Sequence, residues 1–248
     1  MDGTRLLLLT NRFPLRVVSY DVATDTWHAF PAPPVELRGN DMLAAGGGYA
    51  YVADQDDTAA NPDEGRIERL DLRSGTWSQL PASPHRPRLS VRAMTVTRRG
   101  LLVDGLYGLD PDDRQYQAEV ERFADGQWHR FPTPDGLRAA GYDFAWTGSR
   151  LAAPFTSESH GASLDPGSGR WQRFDPQPDP GAVGWQVSRT SQGAPGYVVR
   201  GGLAFDLATG RSRVITRPGG ADSEAEGALV GGFLYVVDAR SVLWRTEL

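Results

Sequence analysis

With 248 residues, 29 Gly and 18 Pro, the chain has the length of one all-β domain and the turn residues that such a fold consumes. A net charge of −5 argues against general binding to nucleic acid or anionic membranes, and all 26 basic residues are Arg, a bias expected of a G- and C-rich bacterial genome. The lack of Cys excludes disulfides and thiolate chemistry; no apolar run approaches a membrane span, and residues 6–9 are too few for a secretory core, so the expected location is cytoplasmic.

In chain order, an apolar residue, an Asp or its equivalent, a short turn and a Trp-type position recur five times. The copies are Tyr20-Asp21 with Trp27, Leu70-Asp71 with Trp77, Phe123 with Trp128, Leu164-Asp165 with Trp171, and Phe205-Asp206 with Ser212 in the Trp place. A period of about 40 to 50 residues marks an array of sheet units that bury their apolar faces only by stacking on one another. Three residues past the Trp position stand Phe30, Leu80, Phe131, Phe174 and Ile215, in the alternation of a strand that Pro31, Pro81 and Pro132 terminate in the first three copies. Asp25, Gly75, Gly169 and Gly210 suit the left-handed turn of a hairpin, and the shortened third copy supplies Asp125-Gly126, a type I′ pair.

Each full copy reads as four strands, a to d. The chain opens at residues 6–9, which align with strand b. The second copy places its strands at 42–45, 49–52, 67–71 and 77–80, and the third at 91–96, 101–103, 119–123 and 128–131. The fourth begins with 142–146 and 151–154, the fifth with 185–189 and 197–199. Residues 227–230, 234–237 and 242–245 close the chain as a, b and c. No stretch holds a helical period over three turns, so helix should be nearly absent. The count is six units in one domain spanning 1–248, the first without strand a and the last without strand d.

The second copy, Arg69-Leu70-Asp71-Leu72-Arg73-Ser74-Gly75-Thr76-Trp77-Ser78-Gln79-Leu80-Pro81, with Gly46-Gly47-Gly48-Tyr49 before it and Arg88 after it, resembles a kelch repeat. The Gly-Gly pair that kelch repeats carry after strand b is Ala53-Asp54 or Asp104-Gly105 here. The resemblance implies an all-β, kelch-like β-propeller of six blades, the first and last incomplete in sequence. It implies little about activity, because that architecture hosts binding modules and enzymes alike.

In such a blade the a–b and c–d turns lie at one end, and the b–c loops and d–a connections at the other. The second set is long, at 53–66 and 104–118 within copies and at 31–41 and 81–90 between them, so the b–c/d–a face is the expected ligand site. Arg38, Arg88 and Arg138 follow their Trp by 11, 11 and 10 residues. Their planar forks suit carboxylates or phosphates. Some kelch domains grip acidic peptides with such residues, although a repeated Arg also braces neighbouring loops. Asp54, Tyr107, Tyr116, His160 and Trp185 complete the expected ligand-binding set. Asp56 and Asp57 beside Asp54, and Asp110, Asp112 and Asp113, lack the Gly and Glu of an EF-type loop, and no two His share a ligand spacing; neither a metal nor another cofactor is expected.

Trp27, Trp77, Trp128 and Trp171 are fixed in the repeat and are expected to pack between sheets. Tyr142, Trp146 and Trp185, at or near strand a, are better placed for a ligand. The whole reads as a binding or scaffold module for a peptide, a protein or a small anionic ligand rather than an enzyme. The competing reading is a hydrolase or lyase with carboxylate or His residues at the channel mouth, since carboxylate pairs converge in space and not in sequence.

Overall fold

The alternation of apolar and polar residues is realised as antiparallel strands throughout. The computed structural model describes residues 5–10, 16–21, 23–34, 42–53, 66–84, 89–108, 116–134, 144–155, 160–183, 192–216, 226–230, 233–237 and 243–247, with the backbone alone at 106–108, 116–118 and 226–230 among others. The chain divides into two compact units, Met1–Pro132 and Thr133–Leu248.

The first unit holds three sheets in chain order. Arg5–Leu9, Val17–Asp21 and Thr26–Ala29 form the first, as strands b, c and d. Met42–Gly46, Tyr49–Ala53, Ile67–Asp71 and Trp77–Gln79 form the second; Leu89–Thr97, Gly100–Gly108, Tyr116–Ala124 and Gln127–Phe131 form the third. In the second unit, Ala145–Trp146, Leu151–Ala153, Gly161–Asp165 and Arg170–Phe174 make the fourth sheet. Gln192–Ala194, Tyr197–Arg200, Leu203–Asp206 and Arg211–Val214 make the fifth, and Glu226–Val230, Phe233–Val237 and Leu243–Glu247 the sixth, as a, b and c. A 3-10 turn at Pro180–Val183 is the single helical element among the described residues.

The c–d turn is built as its sequence requires. Asp71 Oδ1 accepts the backbone N–H groups of Arg73 and Ser74 at 2.8 and 2.9 Å, and Gly75 N–H closes the turn on the Asp71 carbonyl. Asp21, Asp165 and Asp206 accept equivalent bonds from Ala23, Gly167 and Ala208. Gly75, Gly169 and Gly210 all have φ near +70°, the left-handed region where a β-carbon is costly. In the third copy Asp125 and Gly126 both have positive φ, as a type I′ hairpin needs.

Neighbouring sheets pack face to face within each unit. Ala44, Tyr51, Ala53 and Ile67 of the second sheet are buried against Val91, Leu101, Val103 and Phe123 of the third. The opposite face of the second sheet, with Ala50, Val52 and Leu70, is buried against Leu7, Val17 and Phe30 of the first. In the second unit, Phe155 and Phe174 of the fourth sheet and its exit pack their rings against Phe205 of the fifth.

Three expectations need correction. The b–c segment of the third copy is shorter than residues 104–118, because strands b and c extend as a nine-residue pair until Gly108 meets Tyr116. Strand a of the fifth sheet is Gln192–Ala194 and not 185–189. Pro195 and Gly196, with a positive φ at the glycine, supply the tight turn into strand b that the apolar pattern alone did not show. Trp27, expected between sheets, is 62% exposed, with its ring against that of Tyr20, since its sheet is the first of its unit and has none before it there.

Candidate functional site

Strand direction decides which connections share an end. In every four-stranded sheet the a–b and c–d turns lie together, so the b–c and d–a connections gather at the opposite end. Beneath that end, in the first unit, lies a layer of buried carboxylates. Glu68, Glu119 and Glu121 are each at most 1% exposed.

Register explains their placement. Glu121 pairs with Val103 and Arg130, and Glu119 with Gly105, so both point from strand c of the third sheet toward the second. Glu68, paired with Val52 and Gln79, is the repeat equivalent of Glu121 and points toward the first sheet. A buried charge needs a partner. Glu119 is ion-paired with Arg130, and Glu68 with Arg66. Ser83 Oγ, from the connection leaving the second sheet, donates to Glu121 Oε2 at 2.6 Å. Burial pushes the Glu121 carboxyl above its usual range, and the Ser83 hydroxyl draws it part of the way back. Pro33 stands where Ser83 would be one repeat earlier, and Glu68 Oε2 finds no partner among the described residues.

The opposite face of strand c carries Arg. Arg69 lies over the Tyr49 ring at 4.9 Å, and Arg245 of the sixth sheet lies over Phe233 at the equivalent position at 4.7 Å. In the third sheet Gly100 takes the aromatic place and Arg122 turns to Phe131 instead.

The sheets are also fastened at their outer strands. Trp77 Nε1 donates to the Pro31 carbonyl and Trp128 Nε1 to the Pro81 carbonyl. Where the fifth copy replaces Trp by Ser212, its hydroxyl donates to Gln177 Oε1 at 2.7 Å, and Gln177 Nε2 donates to the Asp175 carbonyl. A different pair of groups thus ties strand d to the preceding connection.

Of the expected ligand residues, Arg38, Arg88, Arg138, Asp54 and Trp185 lie outside the described residues, as do Tyr142 and the other loop Asp residues. Tyr107 and Tyr116 sit on the backbone of the extended hairpin, with Tyr107 paired to Gln117 and Tyr116 to Gly108. His160 is exposed at the b–c end, directly before strand c of the fourth sheet. Trp146 is half-buried, with its backbone against Gly193. The buried glutamates are not among the expected site residues, since a single charged residue in a strand carries no sign of burial. The signal was present in the repetition of Ile67-Glu68-Arg69-Leu70 as Val120-Glu121-Arg122-Phe123, which sets Glu at an inward position twice.

No protein-family model matches the chain, and no curated protein matches it. Among solved structures, one from a nidogen/laminin complex is similar at TM-score 0.55 and 12% identity, over 87% of this chain and 76% of the other. A structure of YCF48 bound to a D1 peptide is similar at TM-score 0.57 and 13% identity, over 94% of this chain and 72% of the other. Both neighbours are β-propeller proteins. This chain folds as a β-propeller. Its four-stranded sheets are blades, and the buried glutamates lie where one blade packs on the next, at the end that bears the longer connections.

Proposed function

We propose that this propeller is a binding module that recognises a peptide, a protein segment or a small anionic ligand through its b–c/d–a connections. The reading takes the six sheets as six kelch-like blades of one domain. The observation that carries it is the Ser83–Glu121 bond, which fixes a d–a connection onto the neighbouring blade with both groups buried. Loops anchored in this way present side chains from a rigid base, as recognition requires. The two similar propellers are described with a protein or a peptide partner, which supports the same class of role.

Arg38, Arg88 and Arg138 are the proposed anionic contacts, with Asp54, Tyr107, Tyr116, His160 and Trp185 around them. The engagement of Glu119 by Arg130 and of Glu121 by Ser83, inside the packing between blades, favours a structural task for these carboxylates over catalysis. A fluorescein-labelled Glu-rich peptide tests the proposal. Replacing both Arg38 and Arg88 by Ala should weaken its capture at least tenfold without changing the far-ultraviolet circular dichroism, and added salt should weaken it in the wild type. Unchanged affinity in the double variant would remove the Arg contacts from the site.

A further inference from the structure

Two side chains of the fourth blade, Arg150 and Ser163, carry buried donors that nothing among the described residues accepts. Ser163 is fully buried and its Oγ has no hydrogen-bond partner; Arg150 is half-buried, and its Nε is buried without an acceptor. The backbone of Arg150 is engaged, since its N–H donates to Thr147 Oγ1 and its carbonyl accepts from the Thr147 N–H and hydroxyl. Its guanidinium makes no hydrogen bond or ion pair among the described residues. Asp165, opposite Arg150 by register, is committed to its own turn. Ser168 Oγ and Gly167 N–H donate to it at 2.7 and 2.8 Å, and Arg150 contributes least to holding its carboxyl low.

The repeat explains how the arginine comes to lie there. Leu151 pairs with Leu164 as Ala50 pairs with Leu70, so Arg150, Ala152 and Ser163 stand where the second blade has Tyr49, Tyr51 and Arg69. In the second blade the guanidinium lies over the Tyr49 ring. The fourth blade moves the arginine to strand b and keeps neither tyrosine. Both side chains face the fifth blade, because Ala152, on the same face, is buried against Val198 and Phe205. Register makes them diagonal neighbours, with Cα atoms about 7 to 8 Å apart, a gap that a long side chain spans. An arginine Nε–H only donates, and a partly buried cation without a counter-charge is costly. What the two donors lack is a shared, negatively charged acceptor.

We propose that Arg150 and Ser163 form a carboxylate-binding site at the end of the fourth blade that bears the a–b and c–d turns. Nε and one Nη of Arg150 present parallel donors to the two oxygens, and the Ser163 hydroxyl donates to the inner one. The half-exposure of Arg150 gives the ligand its way in, and the buried Ser163 limits its size. The site lies at the opposite end from the long connections and does not depend on the role given to them.

Formate is the probe, titrated into the full chain and read as the thermal midpoint, with sodium chloride at matched ionic strength as reference. A saturable rise beyond that of chloride is expected, since a ligand of the folded state stabilises it. Ser163→Ala removes one donor, and Arg150→Lys keeps the charge but loses the fork. Each should raise the half-saturating formate concentration at least tenfold. In chloride alone Ser163→Ala should be no less stable than the wild type, because the change deletes an unsatisfied buried hydroxyl. A serine with a purely structural role would cost stability in both salts, which would contradict the proposal. Displacement of isotope-labelled formate by a short Glu-containing peptide would identify the natural carboxylate as an acidic side chain of a partner, and retention of the formate would identify it as a free small acid. Should either variant fail to fold, the wild type decides. No saturable rise with formate, or an equal rise with chloride, overturns the proposal, as does a formate effect that both variants retain. An ordered water alone between Arg150 Nε and Ser163 Oγ in crystals grown in formate overturns it as well.

Discussion

Trp128 Nε1 donates to the carbonyl of Pro81 at 2.8 Å, and Trp77 Nε1 to that of Pro31 at 2.9 Å, so one repeat position fastens two successive pairs of blades. Pro ends strand d because it has no N–H for a ladder, yet its carbonyl stays available as an acceptor. Trp128→Phe keeps most of the ring and loses the bond, for an expected cost of about 1 kcal/mol. Trp128→Ala loses the packing too, for about 3 to 5 kcal/mol. Trp27→Phe should lie within about 0.5 kcal/mol of the wild type, since Trp27 is exposed. Urea denaturation of the three variants measures the order, and an equal loss at Trp27 and Trp128 would contradict it.

The buried Glu121 makes stability depend on pH in an unusual direction for a carboxylate. Its folded-state pKa is raised by burial, so its contribution is full below the ordinary Glu value and is lost as pH rises through the folded value. Glu121→Gln, which still accepts from Ser83, should therefore gain on the wild type as pH increases between about 4 and 8. Ser83→Ala removes the bond at a cost of about 1 to 3 kcal/mol and pushes the Glu121 carboxyl further up. Urea midpoints across that range provide the check. A Gln variant that loses stability steadily with rising pH would reverse the sign.

Period and turn chemistry made the fold legible. The spacing from Asp71 to Trp77 and the glycine at 75 are local, and they fixed the second blade to within a residue at most strand ends. The fifth blade was misplaced at strand a, because Gln192, Gly193 and Ala194 carry almost no apolar signal and are held by backbone approach to Trp146. Buried polar contacts were less visible. Ser83 and Glu121 are 38 residues apart, and only stacking of blades brings them together. Nor does sequence show that Ser212 and Gln177 take over where the Trp is absent, since their bond spans 35 residues and two side chains of no common pattern.

The c–d turns carry the opposite pH dependence. Backbone N–H groups of Ser74 and Arg73 hold Asp71 below the usual carboxylate range, while the Ser168 hydroxyl and the Gly167 N–H do the same for Asp165. With the folded value depressed, the stabilisation is present above the ordinary Asp value and is lost as pH falls through the folded one. Both sites are open to solvent, so each effect is small. Asp71→Ala and Asp165→Ala together should lower the thermal midpoint at neutral pH, with the gap to the wild type closing in acid. A gap that does not narrow as the pH is lowered would locate the loss elsewhere than in the ionised carboxylates.

Gly193 is required by shape and not by torsion. It has no positive φ, yet a β-carbon there would overlap the Trp146 carbonyl on the innermost strand of the adjacent blade. Its neighbour is backbone and cannot rotate away, so Gly193→Ala must separate two inner strands, at an expected cost of about 3 kcal/mol. Gly210 is the reverse case, with φ of +69° and nothing within 4 Å of the place a β-carbon would take. Asn tolerates that left-handed conformation, so Gly210→Asn should cost less than about 1 kcal/mol. Comparing the two variants by urea denaturation separates close approach from backbone freedom. If Gly193→Ala proves as mild as Gly210→Asn, the inner strands yield more easily than close packing of backbone on backbone allows.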